Sequence, residues 1–110
     1  MSKIISLADS LIDVRARRRL ESFGGHTIAH GRATRWHWAQ SADAGNVFEI
    51  YRGGAEETLA ARVVPGKDRD TYYAYSGSDE LIASGSLEHV LAELEIYFSR
   101  LHGEIPDAPA

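Results

Sequence analysis

The sequence predicts an α+β domain: an N-terminal helix, a five-stranded antiparallel meander sheet and a C-terminal helix, with both helices on one sheet face. Three observations predict it. Ser86 to His102 repeats apolar residues at helical spacing. Residues 32–84 break into short runs rich in β-branched and aromatic residues, in which apolar and polar positions alternate. The turns between these runs are short and polar, as antiparallel neighbours allow and parallel crossovers do not.

In the C-terminal helix Leu87, Val90, Leu91, Leu94, Phe98 and Leu101 fall on one face at about 100° per residue, with Glu88, Glu93, Glu95 and Arg100 elsewhere. Ser86 suits the N-cap, and Arg100 and His102 precede a stop at Gly103. The N-terminal helix is read from Ser6 to Phe23, with Ser6 and Asp9 at capping-box spacing and Gly24-Gly25 as its stop. Its apolar residues spread over two stripes, one of Ile4, Leu7, Leu11 and Val14, the other of Ile5, Ile12, Ala16, Leu20 and Phe23. A helix on a sheet needs one stripe. The spare stripe either packs on the other helix or serves a homodimer, for which Leu7, Leu11 and Val14 are the candidate interface residues.

Strands are read at 32–39, 47–52, 58–64, 71–76 and 80–84. In the first, Thr34, Trp36 and Trp38 point one way and Arg35 and His37 the other. Gly53-Gly54, Pro65-Gly66 and Gly77-Ser78-Asp79 supply turns. Five strands at ~4.8 Å spacing seat two ~10 Å helices side by side, which leaves the opposite face open. The domain is expected to span residues 1–103, with 104–110, which hold two of the three prolines, as a loosely ordered tail.

A chain of 110 residues with 44% hydrophobic and 25% charged residues is one globular domain. The absence of cysteine removes disulfides, thiolate nucleophiles and thiolate zinc sites. Met1 to Leu11 lacks the apolar core of a signal peptide, and no run reaches the ~18 apolar residues of a membrane span. A cytoplasmic protein without membrane partners is expected. The net charge of −4 conceals an asymmetry: residues 1–40 carry seven basic and three acidic groups, residues 41–80 four and eight, and residues 81–110 one and five. In a meander the turns at 53–57 and 77–80 share one end, which gathers Glu56, Glu57, Asp79 and Glu80. A first helix that finishes there would bring Arg15, Arg17, Arg18 and Arg19 to those carboxylates.

Catalytic motifs are absent. His26, His30 and His37 lie at H-x3-H-x6-H spacing without a neighbouring carboxylate, which favours surface histidines over metal ligands, so no metal or other cofactor is expected. Ser76, Ser78, Ser84 and Ser86 fall in turns or caps, no G-x-S-x-G elbow occurs, and no glycine pattern cradles a phosphate. A non-enzymatic protein is therefore expected, with a small ligand-binding protein or enzyme using the histidines as an alternative. A second alternative is a nucleic-acid-binding protein using Arg15, Arg17, Arg18, Arg19 and Arg32 with an aromatic strand; the acidic balance of the chain counts against it.

Because strands alternate, a helix-covered face cannot take both Tyr72 and Tyr73. Arg35, Tyr51, Tyr73 and Tyr75 are therefore candidate partner-binding residues on the open face, with Glu88, Glu93 and Glu95 as an acidic set on the last helix. In being short, cysteine-free, acidic and without catalytic residues, the chain resembles small accessory and inhibitory proteins encoded by phages and mobile elements, anti-CRISPR proteins among them. That resemblance lies in composition and covers no motif. It implies an inhibitor that binds and blocks a protein partner, such as part of a nucleic-acid-handling complex, through the aromatic face or through carboxylates that imitate phosphates.

Overall fold

The computed structural model describes residues 13–41, 45–53, 56–68, 70–101 and 103. Helix α1 (Val14–Ala29) leads into strands β1 (Arg35–Ser41), β2 (Gly45–Arg52), β3 (Thr58–Pro65), β4 (Tyr72–Ser76) and β5 (Leu81–Gly85), and helix α2 (Leu87–Leu101) closes the order. The strands form one antiparallel sheet in sequence order, β1 and β5 at its edges. Both helices pack on one face. There the cross-strand row Trp38, Phe48, Val63, Ala74, Ala83 lies beside Trp36, Ile50, Ala61, Ser76, and meets Ala16, Leu20 and Phe23 of α1 and Val90, Leu91, Leu94 and Phe98 of α2. Phe48, Ile50, Ala61, Val63, Ala74, Leu20, Val90 and Leu94 are fully buried, which makes this the hydrophobic core.

The five strands and the second helix agree with the sequence reading to within a few residues, and Ser86 caps α2 as expected, its Oγ accepting from the His89 N–H at 3.2 Å. The first helix ends later than that reading has it, and the expected cap at Ser6 and Asp9 lies outside the described residues. It begins at an N-cap on Asp13, whose Oδ1 accepts from the Ala16 N–H at 2.9 Å. It then runs without interruption through Gly24 and Gly25 and stops about one turn later, at Ala29. There Gly31, at φ +74°, donates to Ile28 and Arg32 donates to Thr27, the paired bonds of a Schellman stop.

Gly24 has a packing reason to be glycine. A Cβ there would lie 2.7 Å from Trp36 Cδ1 and 2.9 Å from Phe48 Cζ, so the missing side chain lets the helix backbone settle onto β1 and β2. A Cβ on Gly25 would meet nothing within 4 Å.

The shifted helix moves the arginines. Arg15 to Arg19 occupy its first turns, not its last, and therefore sit at the opposite pole from the turns at 53–57 and 77–80. The expectation that they answer those acidic turns is not met. Glu57 accepts instead from Arg35, and Asp79 pairs with Arg62. Leu7 and Leu11 lie outside the described residues; Val14, the first residue of α1, is 63% exposed.

Candidate functional site

The sheet face opposite the helices carries a second, different set of side chains. Strand alternation fixes its members: Arg35, His37 and Ala39 from β1, Val47, Glu49 and Tyr51 from β2, Leu59, Arg62 and Val64 from β3, Tyr73 and Tyr75 from β4, and Leu81 and Ser84 from β5. Among these residues only Val47 is buried. No described element crosses this face.

Their arrangement follows the register. The row His37, Glu49, Arg62, Tyr75, Leu81 crosses the sheet through consecutive cross-strand partners, and Arg35, Tyr51, Leu59 form a shorter row beside it. On the other side Ala39 faces Val47, and Val64 faces Tyr73. An open depression of about 490 Å³ lies between, lined chiefly by Ala39, Val47, Leu59, Val64 and Tyr75, with Glu49 and Arg62 on its wall.

The charges here are held in place by one another. The Arg35 guanidinium lies 4.2 Å from the Tyr51 ring centroid and its Nε donates to Glu57 at 2.7 Å. The Thr34 hydroxyl also donates to Glu57, at 2.8 Å. These two hydrogen bonds, Thr34 first, hold the Glu57 carboxyl below the usual carboxylate range, and the bond to Glu57 raises Arg35. Tyr51 donates to Glu49 at 2.8 Å, and that bond, with burial, pushes the phenol up. Arg62 lies 4.8 Å from the Tyr75 ring and pairs with Asp79. Arg35, Tyr51, Arg62 and Tyr75 are thus held before any partner arrives, which lowers the ordering cost of binding.

The residues singled out in the sequence divide between the two sides of the sheet. Arg35, Tyr51, Tyr73 and Tyr75 share the open face. Glu88, Glu93 and Glu95 stand on α2, across the sheet from them. Glu88 accepts twice from Arg19, at 2.9 and 3.1 Å, and Glu95 lies 3.3 Å from Arg32 and 3.6 Å from His26. Both pairs tie the helices together at the surface; such exposed pairs contribute about 0–1 kcal/mol each. Arg17 lies 5.0 Å from the Trp38 ring, whose Nε1 donates to Glu21 at 2.7 Å. His26 packs against His30 in a tilted arrangement at 4.2 Å between centroids, whereas His37 is on the open face. Among the described residues, no group of three or more His, Asp or Glu is placed to hold a metal ion.

Sequence reasoning did not single out Val47, Val64, Leu59 or Arg62. The alternation of β2 marked Val47 as outward, but a buried valine on an open face shows only once Ala39, Glu49 and Val64 are placed around it. Leu59 and Arg62 depend on a bulge that no residue pattern announces: pairing shifts from Ile50 opposite Ala61 to Tyr51 opposite Leu59, which leaves Ala60 as the extra residue.

Compared with known proteins, the chain matches no family model, no curated protein and no solved structure.

Proposed function

We propose that this chain is a non-enzymatic protein-interaction module that acts by occupying a partner's surface with the open face of its sheet. One observation carries the reading: Arg35, Tyr51, Arg62 and Tyr75, held by hydrogen bonds and cation–ring contacts within the chain, surround a depression of mixed apolar and polar lining on a face no described helix covers. Tyrosine and arginine are enriched where protein interfaces concentrate their binding energy. Five strands at ~4.8 Å and five to eight residues at ~3.3 Å outline a plan area on the order of 500 Å², the scale of one side of a small protein interface, below the ~800 Å² of a standard one.

The charge pattern narrows the partner. Arg35, Arg62, Glu49 and Glu57 are answered within the chain, so the face offers little excess charge to a strongly charged surface. It suits a folded protein with low charge over the contact and an amphipathic side chain for the depression, where Glu49 and Arg62 stand beside Val47 and Val64. Covering a partner in this way is how a small phage- or mobile-element-encoded inhibitor would act, and the composition of the chain resembles such proteins. Phosphate mimicry by the helix carboxylates is the weaker route, because Glu88 and Glu95 already answer Arg19 and Arg32.

A photo-crosslinking residue placed at Tyr75, and separately at Glu93 on α2, tests this reading in cells of the source organism. The Tyr75 position is expected to capture one discrete protein that the Glu93 position does not. Capture from both positions alike, or from Glu93 alone, would overturn it.

A second reading, direct nucleic-acid binding, is favoured by one observation. Arg15, Arg17, Arg18 and Arg19 lie at the positive end of the α1 dipole, where cations cost stability, and Arg15 and Arg18 have no partner among the described residues. It predicts DNA or RNA binding that falls steeply with salt and is lost in Arg15→Ala with Arg18→Ala. Absence of binding to either nucleic acid at low salt would rule it out.

A further inference from the structure

The two edges of the sheet are built differently. β5 has five residues and a bulge that breaks its pairing between Ala74 and Tyr75 of β4, and it runs at once into α2. Short, irregular edges of this kind discourage pairing with another chain. β1 has seven residues in unbroken register with β2, and contains no proline, lysine or bulge. Among the described residues nothing pairs with its outer edge. Its tryptophans Trp36 and Trp38 pack on the core yet remain only half-buried.

We infer that β1 is a dimer edge, along which the chain pairs antiparallel with β1 of a second copy about a two-fold axis at Trp38. The register follows from length. Only an axis at Trp38 pairs all seven residues, setting Arg35 against Ser41, Trp36 against Gln40, and His37 against Ala39 of the partner copy. No residue then faces a like charge, and the only self-facing pair is Trp38 with Trp38, an aromatic pair of the type that stabilises neighbouring strands. The helix side agrees. Arg17 and Glu21 both reach Trp38 and so flank the axis, where α1 of the second copy runs in the opposite direction. Each Arg17 is brought toward the other copy's Glu21, a self-complementary arrangement of the kind an isologous interface requires. The result is a ten-stranded sheet with two open faces joined side by side. This inference does not depend on what occupies those faces.

Light scattering on the full chain tests it, with a pair of variants chosen for the register. Wild type is expected to have twice the chain mass. His37→Lys with Ala39→Lys sets lysines opposite each other and should give a folded monomer, whereas His37→Lys with Ala39→Glu sets opposite charges together and should restore the dimer. A monomeric wild type, a dimer that survives the double lysine, or a lysine–glutamate variant that stays monomeric would each overturn the proposal. Should the double-lysine chain fail to fold, amide exchange of wild type decides. Edge amides within Arg35–Ser41 that exchange more slowly at higher protein concentration support the dimer, and rates independent of concentration contradict it.

Discussion

Gly77→Ala lowers stability by about 3 kcal/mol or more, at the upper end of what overpacking costs. A Cβ at this position would fall well inside van der Waals contact with the Leu59 carbonyl oxygen, and that oxygen is backbone, which cannot rotate away. The crowding arises from the bulge in β3. With Ala60 as the extra residue, its carbonyl accepts from the Gly77 N–H at 3.1 Å and from the Tyr97 hydroxyl at 2.8 Å, drawing the β4–β5 turn and α2 onto the same point. An added methyl must push the turn away and break at least the first of these bonds. A denaturant titration reads the loss as a lower midpoint with an unchanged slope. A change within about 0.5 kcal/mol, the range of ordinary surface substitutions, would mean that the turn does not lap against the bulge as described.

The neighbouring glycines of α1 should respond with opposite signs. At Gly24 a methyl group overlaps Trp36 and Phe48 side chains that are themselves packed in the core, at a cost of about 1–3 kcal/mol. The better helix propensity of alanine returns about 1 kcal/mol of that. Gly24→Ala is thus expected to be destabilised by up to about 2 kcal/mol net. At Gly25 the methyl meets nothing, so only the propensity term remains and Gly25→Ala should be stabilised by about 1 kcal/mol. Thermal melts of the two variants, read side by side, check this. Equal shifts would show that the helix does not approach the sheet through Gly24.

These glycines also show how far the sequence could be read. Local alternation and polar turns were enough for the strands, and the regular apolar face of α2 was enough for that helix, because each pattern reflects burial against a core that lies in one direction. A Gly-Gly pair carries no such direction. From sequence it reads as a helix stop; here the stop is Gly31, and Gly24 serves a long-range contact with β1 and β2. Shifting the helix by that much reversed the position of the arginine run, and with it the expected pairing with the acidic turns. For the open face, period-2 alternation sufficed to bring Arg35, Tyr51, Tyr73 and Tyr75 together. It could not supply the Arg35–Glu57 and Arg62–Asp79 contacts that hold the face, since these depend on turn geometry and on the bulge.

The most direct test of the central claim, that the open sheet face is the surface the protein uses, is acetylation of its tyrosines followed by mass spectrometry. It would be made on the free protein and on its complex with the partner captured from the Tyr75 position. In the free protein Tyr73 and Tyr75 are expected to react ahead of Tyr72, which is buried, and of Tyr97, whose hydroxyl is held by Ala60. In the complex both should be protected. Equal modification of Tyr73 and Tyr75 in the free and bound protein would contradict the account.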